Sequence, residues 1–330
     1  TFTTNLSISS KEFSMPLNPI LATMIGQMAE AKAPALHEMS PTEGRAMYRA
    51  MNAENTREPV TEVRDADADG VPVRIYNPKP NEILPGLVYF HGGGWVIGDL
   101  ETHDHICRKL ANSANCVVIA VDYRLAPEHP YPAPMDDCYT AFNWVANQSS
   151  RLGINPQKIA VGGDSAGGNL SAVIAIRTRD ENGPTICHQL LIYPVTDAAF
   201  DTPSYTENAE GYMLTKRGME WFWDHYLRDK RLGDKSLGDE TAQSLAYVSP
   251  LRAADLSNLP PATVFTAEFD PLRDEGEDYA ARLKSAGNKV MLKRYDGVVH
   301  GFFAMADILD EAQDAFALSA RELSASFATE

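Results

Sequence analysis

Lys158-Ile159-Ala160-Val161-Gly162 runs into Gly163-Asp164-Ser165-Ala166-Gly167, and that pentapeptide opens onto Gly168-Asn169-Leu170-Ser171-Ala172-Val173-Ile174-Ala175-Ile176. An apolar run, a serine flanked by small residues and a helix-compatible stretch describe a strand that turns sharply into a helix. In such a turn the serine takes a strained backbone conformation that lifts its hydroxyl above the end of the sheet, and bulkier neighbours would collide with strand and helix. The pattern predicts a parallel α/β sheet and singles out Ser165 as a nucleophile. The alternative, an ordinary glycine-rich turn, does not explain the strand-to-helix setting.

A second motif lies upstream, where Leu87-Val88-Tyr89-Phe90 reads as a buried strand and continues into His91-Gly92-Gly93-Gly94-Trp95. Consecutive glycines expose backbone N–H groups without intruding side chains. Acyl transfer needs fixed donors of this kind where a carbonyl oxygen becomes an oxyanion. Alone, three glycines would make a flexible turn; paired with the serine turn, they are read as donors. Gly93 and Gly94, with Ala166 after the serine, are the expected oxyanion amides.

These residues resemble the hormone-sensitive-lipase-like carboxylesterases (bacterial family IV). The resemblance extends through HGGGW at 91–95, DYRLAPEHPYPA at 122–133, GDSAGGNL at 163–170, DPLRDEG at 270–276 and HGF at 300–302, in family order. The polar leader before about Met15 matches nothing comparable. The resemblance implies an α/β-hydrolase fold and ester hydrolysis through an acyl-enzyme, with no cofactor. It also implies a tendency to form homodimers.

A serine hydroxyl at neutral pH needs a base, and the base needs a carboxylate to orient it. In α/β-hydrolases the chain order is serine, acid, histidine. Of the eight histidines, His37, His91, His103, His105 and His129 precede Ser165 and are excluded. His188 opens the apolar run Gln189–Tyr193 and so sits at the wrong end of a strand, and His225 lies in a predicted amphipathic helix. His300 follows the strand-like Lys289–Tyr295 and a glycine-containing turn, and is the expected base. For the acid, Ala262–Phe269 reads as a strand leading to Asp270-Pro271. Asp270 is preferred to Glu268, which is still within the strand. Asp274 and Glu275 fall in a helix's first turn, where acids commonly complement the dipole. The family resemblance selects the same Ser165, Asp270 and His300.

The chain has 330 residues, a net charge of −16, 44% hydrophobic residues and 9% aromatics, which suits one large α/β enzyme with an insertion and argues against a nucleic-acid partner. No run of about 18 apolar residues is present to span a membrane. The four cysteines, Cys107, Cys116, Cys138 and Cys187, contain no C-x-x-C pair and read as reduced thiols. The first ten residues lack the basic start and apolar core of a signal peptide, so a cytoplasmic location is expected. The chain begins with threonine, and Met15 is a candidate natural start, with residues 1–14 an added or processed leader.

Strands are predicted near 72–77, 86–90, 116–122, 158–162, 188–194, 261–269 and 289–295, and helices near 102–114, 136–150, 166–180 and 273–286. That alternation predicts a mostly parallel, doubly wound sheet. Asp69-Gly70 predicts an opening antiparallel hairpin. The connection from Asp197 to about Leu259 is too long for a simple crossover. Within it Thr215 is placed to N-cap a helix with Met219, Phe222, Trp223, Tyr226 and Leu227 on one face. The resemblance implies that this insertion and the apolar segment Pro16–Ile25 form a helical cap over the serine. The expected organisation is an N-terminal cap segment at 1–45, hydrolase core at 46–196, cap insertion at 197–259 and core again at 260–330.

Other motifs carry less. His103-Asp104-His105 looks like a metal cluster but has no further ligand at suitable spacing, so no metal is expected. Asp122, Arg124 and Glu128 read as a loop-shaping charged network, and His91 as a hydrogen-bonder that orients the glycine loop. Trp95, Tyr193, Tyr212, Met213 and Phe302 are candidates for lining an acyl pocket, with core packing the competing role. The resulting expectation is a serine carboxylesterase acting on short- to medium-chain esters. An amidase or thioesterase would use the same triad, and a ligand receptor of this fold would keep the cap without turnover.

Overall fold

The computed structural model describes residues 16–32, 34–228 and 245–329; the leader before Met15 and part of the 197–259 insertion lie outside them. The core is an eight-stranded sheet of β1 (Glu62–Ala68), β2 (Val71–Asn77), β3 (Leu84–Phe90), β4 (Val117–Val121), β5 (Ile154–Asp164), β6 (Gln189–Ile192), β7 (Ala262–Phe269) and β8 (Val290–Val299). Their spatial order is β1-β2-β4-β3-β5-β6-β7-β8. β2 runs antiparallel to β1 and β4, and the remaining pairs are parallel. The hairpin turns where the sequence predicts: Asp69 has φ +55° and Gly70 φ +93°, the paired left-handed residues a tight two-residue turn requires. Asp67 Oδ1 accepts the Gly70 amide at 2.7 Å.

Burial separates the strands by position. Every residue of β4 and β6 is buried, the continuous apolar reading of a parallel strand covered on both faces. Edge strand β1 is mostly half-buried or exposed. One face is covered by α4 (Ala133–Leu152), α5 (Ala166–Asp180) and α8 (Arg273–Ser285), the other by α3 (Leu100–Ala114) and α9 (Asp310–Phe327). Winding reverses between β3 and β5, so the loops leaving these strands border the crevice where α/β sheets bind ligands.

The N-terminal segment contributes α1 (Pro19–Glu30) and α2 (Pro41–Asn52), and the long excursion contributes α6 (Pro203–Glu207) and α7 (Lys216–Leu227). Thr215 caps α7 by accepting the Gly218 amide at 3.0 Å, and Met219, Phe222, Trp223, Tyr226 and Leu227 are all buried, as their spacing requires. No described helix is long and apolar enough to cross a membrane.

Helices α2 and α9 are absent from the sequence reading, although α9 carries a legible stripe: Ala312, Ala315, Phe316, Ser319, Leu323 and Phe327 are buried at helical spacing. Phe316 stacks on Phe303 at 4.0 Å, and burying an aromatic ring of this size contributes roughly 2 kcal/mol. His188 ties α9 to the sheet. Its Nε2 lies 3.0 Å from Thr263 Oγ1 and its Nδ1 2.9 Å from Ser326 Oγ. Burial, with Lys289 nearby, pulls the imidazole from 6.5 down to about 4.

Because the folded protein keeps His188 neutral while the unfolded chain protonates it, wild-type stability declines relative to a His188→Gln variant as pH falls from 6.5 to about 4. Denaturant titrations of both proteins across that range measure the gap. A gap independent of pH would contradict the assignment.

Candidate active site

At the end of β5 the chain enters α5 through Ser165, whose φ of +55° and ψ of −118° is a conformation few non-glycine residues adopt. A Cβ on Gly163 or on Gly167 would overlap the Phe90 carbonyl oxygen, so the turn can be this tight only with glycine at both places. The Ser165 amide donates to Ile192 O at 2.8 Å, and the Val195 amide donates to Ser165 O at 3.2 Å. These bonds tie the strained residue to the neighbouring strand end.

Tertiary structure brings Asp270, at the end of β7, and His300, just beyond β8, to the same place. His300 Nε2 lies 3.0 Å from Ser165 Oγ, and His300 Nδ1 lies 2.7 Å from Asp270 Oδ2. With Nδ1–H donating to the carboxylate, Nε2 is left to accept from the serine. Asp270 has no exposed surface, and its Oδ1 accepts the Leu272 amide at 2.9 Å. Asn208 holds this loop from the excursion, donating from Nδ2 to the carbonyls of Glu268 and Asp270 at 3.2 and 3.1 Å. Sequence reading missed Asn208 because a lone asparagine in a long insertion has no spacing signal.

The competing acids have other partners. Glu268 Oε2 accepts the Gly297 amide at 2.7 Å. Asp274 binds Arg273 and the Ser204 amide, each at 2.7 Å. Glu275 is buried and its Oε1 accepts the Thr196 and Asp197 amides at 2.7 and 3.2 Å, which shapes the loop beside Ser165.

The glycine loop follows β3. Gly93 O accepts the Val96 and Ile97 amides at 3.1 and 2.9 Å, while the amides of Gly93, Gly94 and Ala166 have no acceptor among the described residues. His91 lies flat on Tyr123 with ring centroids 4.2 Å apart. Its Nδ1 is 2.7 Å from Gly92 O, and Tyr123 donates to His91 O at 2.7 Å. Burial, followed by the proximity of His103, pulls His91 down to about 4, which suits a neutral group orienting the loop.

Asp164, the residue before the serine, anchors the same loop from below. Its carboxylate accepts from Tyr89 Oη at 2.7 Å and from the Gly92 amide at 3.1 Å, with His103 Nε2 at 3.4 Å. Burial opposes its ionisation, yet His103 and the Tyr89 hydroxyl hold its pKa below the ordinary value. The histidines around Asp104 therefore serve separate contacts: His103 turns to Asp164, and His105 Nε2 lies 3.3 Å from Ala304 O. No group of metal-ligating side chains occurs among the described residues.

Asp122, Arg124 and Glu128 do not form one network. Arg124 makes a two-pronged bond to Asp137 at 2.7 and 2.8 Å, Glu128 pairs with Arg45 of α2, and burial, with Asp99 nearby, raises Asp122 to about 6. Among the aromatic candidates, Trp95, Tyr193 and Phe302 are packed inside and offer a substrate almost no surface in this conformation. Tyr193 supports the His300 ring at 4.5 Å. Tyr212, stacked on Phe269 at 4.9 Å, and Met213 keep partial exposure.

A family model described as alpha/beta hydrolase fold matches residues 87–304. The carboxylic ester hydrolase LipN of Mycobacterium tuberculosis is 45% identical over 264 residues, covering 78% of this chain and 68% of that protein. The ethyl acetate hydrolase of Pseudomonas putida is 37% identical over 320 residues, 91% of this chain and 96% of its own length. Among solved structures, a hyperthermophilic esterase from the archaeon Pyrobaculum calidifontis superposes with a TM-score of 0.84 at 41% identity, covering 94% of this chain and 99% of that one.

Burial pushes the Glu275 carboxyl well above its ordinary 4.5, despite the two amides it accepts. A folded value above the unfolded one means that wild type loses stability as pH rises from 4.5 through that raised value, whereas a Glu275→Gln variant does not. Glu275→Gln is therefore expected to gain on wild type with rising pH. Glu275→Ala should fall below both by about 1–3 kcal/mol for each amide left unpaired. Urea unfolding of the three proteins between acid and neutral pH checks the ordering.

Proposed function

The chain belongs to the α/β-hydrolase family, in its hormone-sensitive-lipase-like branch, and is a carboxylic ester hydrolase; from that premise we propose that Ser165, His300 and Asp270 are its catalytic triad. The observation that carries the reading is the contact chain from Ser165 Oγ to His300 Nε2 at 3.0 Å and from His300 Nδ1 to Asp270 at 2.7 Å. Ser165 Oγ attacks the ester carbonyl while His300 Nε2 takes its proton. Asp270 holds the ring's tautomer and stabilises the imidazolium. The carbonyl oxygen becomes an oxyanion, for which the uncommitted amides of Gly93, Gly94 and Ala166 are the donors. The tetrahedral intermediate collapses as His300 returns its proton to the departing alkoxide, releasing the alcohol and leaving an acyl-serine. Water then attacks that ester with His300 again as base, and His300 passes the proton to Ser165 Oγ as the acyl–serine bond breaks and the carboxylic acid is released.

The cap is part of the same proposal. The turn at Leu36–Glu38 packs against α7, and the Asn18 amide donates to Gly297 O at 2.8 Å, close to the loop bearing His300. These contacts support a two-part cap built from the N-terminal segment and the 197–259 insertion. Helix α2 is continuous from Pro41 to Asn52, so the N-terminal piece is better ended at its last turn than at residue 45. A cap of this kind favours short to medium acyl chains, and we assign half-exposed Tyr212, stacked on Phe269 before Asp270, and Met213 to their contacts. A relative named for ethyl acetate hydrolysis supports the short end of that range. β8 ends the sheet, and its edge is the surface we assign to a homodimer.

Ser165→Ala and His300→Ala are each expected to lower kcat by several orders of magnitude, on the order of 10⁶, with little further loss when combined. Asp270→Asn should cost less, on the order of 10⁴. Steady-state hydrolysis of a p-nitrophenyl ester and stoichiometric labelling of wild type by a fluorophosphonate test the assignment. Near-normal turnover in His300→Ala, or an inert wild-type serine, would sink it.

Across p-nitrophenyl esters from acetate to palmitate, kcat/KM is expected to peak at short to medium acyl length. Deleting the segment before about Gly44 should degrade turnover more than it degrades fluorophosphonate labelling in the same folded sample. Unchanged chain-length preference after the deletion would remove that segment from the substrate site.

A further inference from the structure

We propose that helix α7 clamps the oxyanion loop and that Phe222 is a positioning residue for the Gly94 amide, so the insertion helps set the transition-state donors as well as roofing the substrate. The inference rests on the assignment of the Gly93–Gly94 amides to the oxyanion. Its warrant is a set of contacts between the excursion and the loop. Gly94 has φ +56°, and a Cβ built on it would overlap the Phe222 ring, so that ring lies directly against the Gly94 backbone. The next residue, Trp95, also has a left-handed φ, +60°, a conformation that a bulky residue keeps only where its surroundings hold it. What holds it is the same helix. Trp95 stacks face to face on Tyr226 at 4.2 Å with the planes 6° apart, and it tilts against Trp223 at 4.6 Å.

Phe222, Trp223 and Tyr226 fall on adjacent turns of α7, and all three are buried. The clamp is closed from the other sides by ordinary hydrogen bonds. Arg45 of α2 donates to Val96 O at 2.8 Å, the Ala126 amide donates to Trp95 O at 2.9 Å, and the Tyr131 amide donates to Tyr226 O at 2.8 Å. The loop thus has three consecutive positive-φ residues, Gly93, Gly94 and Trp95, the last two pressed from above by aromatic rings of a helix outside the sheet.

The physical consequence follows from how oxyanion donors act. They strengthen as charge develops, so they must stand within hydrogen-bond reach of where the oxyanion will be, and a displacement of about 1 Å costs roughly a hundredfold. Removing the Phe222 ring frees the Gly94 backbone to relax toward it and leaves the substrate's ground-state contacts in place. An interaction made only in the transition state lowers kcat and kcat/KM equally when lost, whereas a pocket wall shows in KM and in chain-length preference.

Phe222→Ala is expected to lower kcat by about 10- to 100-fold, with KM within about twofold, by the same factor for p-nitrophenyl acetate and p-nitrophenyl hexanoate. Phe222→Leu, which refills part of the space, should recover part of the loss. Inhibition by a trifluoromethyl ketone, which forms a charged tetrahedral adduct on the serine, should weaken in step with kcat/KM across wild type, Phe222→Leu and Phe222→Ala. If Phe222→Ala fails to fold by circular dichroism, the Phe222→Leu comparison carries the test alone. A kcat for the acetate ester within twofold of wild type, or a loss confined to KM or to the longer ester, would overturn the proposal. Failure of the triad reading would appear separately, as turnover surviving Ser165→Ala.

Discussion

The contact on which the site depends is the approach of the β5–α5 turn to the carbonyl of Phe90. Gly163 and Gly167 both face that oxygen with no room for a Cβ, and Phe90 is the last residue of β3 before the glycine loop. One close approach therefore sets the distance between Ser165 and the glycine loop. The cost is a strained serine, of order 1–3 kcal/mol. It is offset by the pairing of the Ser165 amide and carbonyl to Ile192 and Val195. The atoms nearest both glycines of the turn are backbone.

Buried carboxylates organise the rest of this sheet edge. Asp270, Asp164 and Glu275 are all buried, and a carboxylate that leaves water must find donors. Asp270 has His300 and the Leu272 amide. Asp164 has Tyr89, the Gly92 amide and His103. Glu275 has the Thr196 and Asp197 amides. The first meets His300, while the other two fix the loops on either side of Ser165. Their environments also separate them chemically, since Asp164 is held below its ordinary pKa and Glu275 well above it.

Aromatic packing extends this rigidity into the excursion between β6 and β7. In an α/β scaffold the sheet positions strand ends, but a glycine-rich loop has few side chains of its own with which to hold a shape. Here Trp95 supplies the handle, and α7 grips it with Trp223 and Tyr226. A segment far along the chain thereby packs directly against the loop that carries Gly93 and Gly94.

The amino-acid sequence by itself determined the strands, several of the helices and the loops on which the candidate residues sit. Period, punctuation and the small residues around Ser165 are local signals. They placed the strands within a few residues of β3, β5, β7 and β8, the hairpin at Asp69-Gly70, the cap residue of α7 and the serine, acid and histidine loops. Helix α9 was not among the helices read, although its apolar residues recur at helical spacing. What only the tertiary structure decided were pairings between segments far apart in the chain. Asp270 was already the preferred acid, but its meeting with His300 depends on the register of β7 against β8, which carries Glu268 to Gly297 instead. His103 turns to Asp164, Asn208 reaches the acid loop, and Trp95 is buried under α7 rather than facing substrate. Spacing along a chain specifies which face a residue takes on its own element; which partner waits across that face depends on how the elements pack.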